Sequence, residues 1–119
     1  MTKEKSKMGK TNRKKGHDLE RQIAKEFRGL GWKNAMTSRA GDRSKDNLGL
    51  DVLNVSPLNV QCKCHNVFKN PVLVLKEMPQ EDSNYNILIM RVKNKGDYVI
   101  MTKEDFYEML EVLKNEKIF

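Results

Sequence analysis

The sequence has few of the residues that stabilise secreted or membrane-embedded proteins. Only two of its 119 residues are cysteine, Cys62 and Cys64, and cysteines one residue apart on a strand do not normally pair. This scarcity argues against a disulfide framework and fits a reducing cytoplasm. No run of 18 apolar residues is present, and the basic N-terminus lacks the apolar stretch of a signal peptide. We therefore expect a single-domain cytoplasmic protein with no membrane partner.

Acidic residues are fewer than basic residues, and the difference is concentrated at the N-terminal end. The net charge is +7, of which +6 falls in residues 1–16 and +1 in the remainder. We interpret residues 1–15 as a basic flexible arm and residues 16–119 as the folded domain. Basic arms most often contact nucleic acid phosphates, whereas the alternative is a solubilising tail. On the first interpretation, the DNA-binding side chains of the arm include Lys10, Arg13, Lys14 and Lys15.

Hydrophobic periodicity predicts a mixed α/β domain. A helix beginning after Gly16 has an apolar stripe formed by Leu19, Ile23, Phe27 and Leu30. Strands are predicted at residues 32–39, 51–55, 60–64, 86–92 and 97–101. A polar loop at residues 40–47 separates the first two strands, and a turn at residues 56–59 makes the next two a hairpin. A short helix at residues 71–78 forms a crossover, and a helix capped by Thr102 ends the order. We expect a central five-stranded mixed sheet flanked by helices.

Four polar side chains are expected to converge beside the hairpin. Strand alternation directs Gln61 and Lys63 to one face, while their apolar neighbours face the core. Asp51 opens the adjacent strand, and Glu20 lies at the rim of the apolar stripe of the first helix. Two nearby carboxylates repel each other unless a cation lies between them, and carboxylate, amide and carbonyl oxygens suit Mg²⁺ or Mn²⁺. A metal, an activated water and a lysine together describe phosphodiester hydrolysis.

Asp51 followed by Gln61-x-Lys63 resembles the PD-(D/E)xK nuclease motif in its glutamine variant. Archaeal-type Holliday junction resolvases are similar in the order and approximate spacing of Lys15-Gly16, Glu20-Arg21, Ser38-Arg39, Asp51 and Gln61-x-Lys63. The closing YVIMTKEDFYEML also looks like the last strand and helix of that group. The resemblance covers residues 13–66 well and the C-terminal part loosely. It implies a restriction-endonuclease-like fold and a homodimer that cleaves four-way DNA junctions.

The same resemblance implies roles for individual residues. The implied ligands of Mg²⁺ (or Mn²⁺) are the side chains of Glu20, Asp51 and Gln61 and the backbone carbonyl of Cys62. Lys63 is the implied catalytic lysine, Ser38 and Arg39 are expected near the scissile phosphate, and Arg21 is expected to contact DNA. Gln61 departs from the resolvases, which usually have glutamate there. The amide keeps an oxygen donor but removes one negative charge.

Three alternatives remain open at this level. The enzyme could act on other structured or single-stranded DNA, or the chain could be a DNA-binding module that has lost catalysis through Gln61. Gln61 and Lys63 could also be an ordinary solvated strand face. Cys62, Cys64 and His65 suggest zinc, but a structural zinc site needs four ligands and His17 lacks a paired partner, so the cysteines are better interpreted as small buried apolar residues. A bacterial cytoplasm or a virus-infected host cell is the expected location.

Overall fold

The computed structural model describes residues 3–65, 70–81 and 83–119. The first element is one long helix, α1 (Lys3–Leu30, 28 residues). Its side chains are described from residue 10 onward. The sequence predicts a flexible arm before a helix that begins after Gly16, whereas the structure begins the helix at Lys3. Lysine and arginine are good helix formers, and no proline interrupts the segment. The basic segment is therefore helical, and the division into arm and domain stays a prediction.

Five strands form one sheet, as predicted, in the order β1-β2-β3-β4-β5. They are β1 (Met36–Thr37), β2 (Val52–Leu53), β3 (Leu58–His65), β4 (Tyr85–Val92) and β5 (Gly96–Ile100). The β3–β4 pair is parallel and the other neighbouring pairs are antiparallel, so the predicted mixed α/β sheet and the β2–β3 hairpin are confirmed. The crossover between β3 and β4 contains α2 (Pro71–Glu77), which is the predicted short helix.

The first two strands are much shorter than predicted. Residues 32–39 reduce to β1 because turns flank it: the amide of Ala35 donates to the carbonyl of Trp32, and the amide of Ala40 donates to that of Thr37. The polar loop that follows contains a 3₁₀ helix (Arg43–Leu48). Because β2 is only two residues long, β3 extends well beyond it.

The sheet has an apolar layer on each face, which follows from strand alternation. Val60 and Cys62 face the core, as predicted, on the α1 side of the sheet. The layer is completed by Leu19, Ile23, Ala24, Phe27, Ala35, Val52, Val55, Ile87 and Ile89. On the opposite face, Leu88, Met90 and Val92 pack against Val74 and Leu75 of α2 and against Ile100. Leu30 was expected in the first layer but is 73% exposed, because it is the last residue of α1 and Gly31 turns the chain with a φ of 120°.

The last helix, α3 (Lys103–Asn115), begins as the sequence predicts. The side chain of Thr102 accepts a hydrogen bond from the amide of Asp105. No residue of α3 is fully buried, and Phe106 is 46% exposed. Across the described ranges, the structure contains no helix with the length and apolar character needed to cross a bilayer.

Candidate functional site

The candidate site lies where β2 and β3 separate, a place that we call the fork. The amide of Asp51 donates to the carbonyl of Val60 at 2.8 Å, and Val52 pairs with Val60. β3 then continues to His65 with β4 as its partner. On the side that β2 has left, the amide of Cys62 donates to Oδ2 of Asp51 at 2.8 Å. The Asp51 carboxylate thus takes the place of the strand that has ended.

Glu20 and Asp51 come together at the fork, as predicted. Burial raises the pKa of Asp51 to about 6; the amide of Cys62 opposes the rise, the adjacent Asp46 carboxyl adds to it, and the Lys63 charge opposes it. Burial also raises the pKa of Glu20 to about 7, followed by the charges of Asp51 and Asp46. Within the described residues, Oε2 of Glu20 is buried and has no hydrogen-bond partner. An acceptor atom of this kind is suited to a cation or a donor from a bound molecule.

Asp46 is a third carboxylate at the fork, and no sequence pattern indicated it. It lies in the 3₁₀ helix, and its carboxyl is close enough to Asp51 to raise the pKa of that residue. The fully buried hydroxyl of Ser38 donates to Oδ1 of Asp46 at 2.5 Å. The available signal was an aspartate in the polar loop, and such residues are common in loops for reasons of turn formation alone. Ser38, implied near the scissile phosphate, contacts this carboxylate at the fork.

Lys63 and Gln61 are half-buried, as expected for one face of β3. The Lys63 charge lies close enough to lower the pKa of Asp51 against the effect of burial. Gln61 lies against the backbone of Gly49, since a Cβ atom there would be 3.0 Å from Oε1 of Gln61. No hydrogen bond joins Gln61 to the carboxylates in the described part of the chain. The structure therefore brings Lys63 to the fork, whereas Gln61 would have to turn from Gly49 to reach it.

Basic side chains surround the carboxylates on the α1 side. The Arg39 guanidinium contacts the His17 ring, and Arg21 pairs with Asp18 on the same helix. Arg39 and Arg21 both act to lower the pKa of Glu20, which shows that their charges lie near the fork. Partial burial and then Arg39 hold the pKa of His17 below its usual value. The predicted DNA-contacting residues of the basic segment are all exposed: Lys10, Arg13, Lys14 and Lys15.

The donors at the fork fit a hard divalent cation better than zinc. Burial raises the pKa of the Cys62 thiol far above its usual range, so this sulfur is not a ready thiolate ligand. Among the described residues, no three His, Cys, Asp or Glu side chains stand in a metal-binding group. Glu20 therefore has to turn toward Asp51 and Asp46 for all three to share an ion, and it is only half-buried. The amide and the carbonyl of one strand residue face the same side, so the Cys62 carbonyl also faces the fork.

Comparison with known proteins gives no relative from which a function can be transferred. No family model, no curated protein and no solved structure matches the chain. A function therefore has to be inferred from the geometry of the fork.

Proposed function

We propose that this chain is a metal-dependent endonuclease that hydrolyses phosphodiester bonds in branched DNA, with the Holliday junction as its substrate. One observation supports this proposal above the others: Asp46 and Asp51 lie together at the fork, within electrostatic reach of Glu20. The Lys63 charge reaches Asp51, and the charges of Arg21 and Arg39 reach Glu20. A buried carboxylate oxygen that has no partner and lies near other carboxylates favours a bound cation. A lysine near the same group favours an anionic substrate. The restriction-endonuclease-like fold belongs to the same proposal.

The residues at the fork fit Mg²⁺ or Mn²⁺. Glu20, Asp51 and the Cys62 carbonyl would hold the ion, with Gln61 as a further donor if its amide turns from Gly49. A bound ion would polarise the phosphate and lower the pKa of a coordinated water. Asp51 remains fixed by the Cys62 amide, which keeps one oxygen aimed along the edge of β3.

Lys63 has a separate role in this proposal. Its charge lies close enough to Asp51 to lower the pKa of that carboxyl. In this proposal the ammonium group neutralises charge on the phosphate as the new bond forms and orients the attacking water. Arg21 and Arg39 bind neighbouring phosphates, and the basic segment of α1 extends the contact along the DNA. A four-way junction has two symmetric scissile strands, so a two-fold homodimer would present one fork to each strand.

The test is cleavage of a synthetic four-way junction, compared with a linear duplex of the same arms and with a single strand, in Mg²⁺ or Mn²⁺. Lys63→Ala should abolish cleavage and leave junction binding nearly intact, because it removes a charge needed in the transition state. Lys93→Ala is the matched control, since Lys93 is an exposed lysine in the β4–β5 turn. Sedimentation of the protein–junction complex would report whether two copies bind.

Each outcome of this assay bears on a different part of the proposal. Preference for the duplex or the single strand would contradict the junction specificity but keep the nuclease. Binding without cleavage in either metal would contradict the enzyme and favour a DNA-binding module. Equal cleavage by Lys63→Ala and the wild type would contradict the role of the lysine.

A further inference from the structure

Asp46 lies outside the motif, but its side chain lies at the fork with the residues that the motif identifies. We propose that Asp46 is a metal ligand that supplies the carboxylate missing at Gln61, and that Ser38 is the positioning residue that aims it. This inference rests on the proposed function, because it concerns the ion bound at the same fork. It adds one ligand from a different element and gives Ser38 a role other than phosphate contact.

The backbone around Asp46 is fixed at both ends of the 3₁₀ helix. Asp42 caps the first turn by accepting hydrogen bonds from the amide and the hydroxyl of Ser44, at 3.0 and 2.6 Å. At the other end, the amide of Gly49 donates to the carbonyl of Asp46 at 3.0 Å, with Gly49 in the left-handed region at φ 74°. These contacts give Asp46 a defined place beside β3, as a ligand residue requires.

The side chain of Asp46 is oriented by a buried donor. Ser38 is fully buried, and its hydroxyl donates to one Asp46 oxygen at 2.5 Å. The Asp46 carboxyl lies beside that of Asp51, which the Cys62 amide holds at the fork. The rest of Asp46 is exposed, so an ion and its waters can reach it. Partners of this kind commonly orient metal-ligating carboxylates.

The amide at residue 61 is the reason why a further carboxylate is needed at the fork. An amide at residue 61 leaves Glu20 and Asp51 as the only carboxylates of the motif. Asp46 brings the number of carboxylates at the fork to three, the number that the motif has when residue 61 is a glutamate. The orphaned oxygen of Glu20 lies near the same group, within the electrostatic reach of both aspartates. A third carboxylate from the loop therefore restores the negative charge that a divalent ion needs.

The first test measures binding of Mn²⁺ or Mg²⁺ to the DNA-free protein by titration calorimetry, with the thermal unfolding shift as a second readout. Loss of a residue that orients a metal ligand typically weakens binding about 10–100-fold, so we expect about tenfold for Ser38→Ala and more for Asp46→Asn. Asn47→Ala controls for disturbance of the 3₁₀ helix, and Glu111→Gln controls for removal of a carboxylate elsewhere. Both controls should bind Mn²⁺ like the wild type.

The second test moves the charge back to the motif. Gln61→Glu in the Asp46→Asn background should recover most of the Mn²⁺ affinity, because the number of carboxylates is restored. Ser38→Ala should weaken binding in the wild type but cause no further weakening in the Asp46→Asn background, because Ser38 acts through Asp46. A serine with only a structural role would have the same effect in both backgrounds.

The outcomes separate this inference from the proposed function. If the wild type binds Mn²⁺ and Asp46→Asn binds it equally well, Asp46 is not a ligand, although the nuclease proposal survives. If Asp46→Asn loses affinity and Gln61→Glu does not restore it, the exchange of roles between residues 46 and 61 is wrong. If the wild type binds neither metal and cleaves no DNA, the proposed function itself fails.

Discussion

Asp51 is the residue on which most contacts at the fork depend. It opens β2 through its amide, satisfies the Cys62 amide through its carboxylate, and lies beside Asp46 and Lys63. Asp51 is only 9% exposed, so little water screens its carboxylate from the neighbouring charges. The metal-free protein therefore holds protons at the fork that an unfolded chain would release.

This proton uptake predicts how stability depends on pH. The folded-state pKa is about 7 for Glu20 and about 6 for Asp51, against ordinary values of 4.5 and 3.8. Because the folded state binds more protons, the free energy of unfolding of the metal-free protein should fall as pH rises from about 4 to about 7 and then level off. Urea unfolding at intervals across that range measures it. Glu20→Gln should make the dependence shallower, whereas Glu111→Gln should not.

A saturating concentration of Mg²⁺ or Mn²⁺ should offset the fall most above pH 7, because the ion then replaces protons among the carboxylates. If Glu20→Gln and the wild type have the same pH dependence, folding does not raise the pKa of Glu20.

At the scale of elements, the sequence predicted what strand alternation controls and missed what depends on contacts across the fold. The faces of β3 follow from period two, so Val60 and Cys62 could be assigned to the core and Gln61 and Lys63 to the other side. The place of Asp46 follows from a hydroxyl eight residues earlier and from the caps of a 3₁₀ helix, and neither leaves a periodic signal. The early start of α1 was missed because the basic segment has no apolar stripe.

Two glycines allow these elements to be tested in opposite directions. Gly16 lies inside α1 with no atom near the position of a Cβ, so Gly16→Ala should stabilise the protein by about 0.5–1 kcal/mol. Gly49 has φ 74°, and a Cβ there would lie 3.0 Å from Oε1 of Gln61. Gly49→Ala should therefore destabilise the protein by about 1–2 kcal/mol and weaken metal binding by displacing the end of the 3₁₀ helix. Chemical denaturation measures both changes, and equal effects of the two substitutions would contradict the assigned backbone roles.

At the scale of the whole molecule, most of the net charge lies at one end of the long axis. The principal extents are 57 × 28 × 28 Å, and a helix of 28 residues is itself about 42 Å long. In α1 the buried residues begin at Leu19, whereas residues 10–15 are exposed. The part of α1 before the sheet therefore projects from a nearly neutral body and carries most of the net charge. A projecting basic helix next to the fork is suited to contact phosphates.

The last prediction tests this projection as a DNA-binding element. Deletion of residues 1–12 should weaken junction binding and reduce the slope of log K against log salt by about 0.9 for each duplex phosphate that the protein no longer neutralises. Cleavage at saturating DNA should change little, because the fork remains intact.

A second variant separates the effect of charge from that of length. It keeps residues 1–12 but replaces the four lysines of that segment with glutamine: Lys3, Lys5, Lys7 and Lys10. Fluorescence anisotropy across a salt series measures the slope, and Lys114→Gln with Lys117→Gln controls for charge at the other end of the chain. An unchanged slope in the glutamine variant would show that these four lysines neutralise no phosphates. If the slope changes only on deletion, the effect belongs to the other residues of the deleted segment and not to the lysine charges.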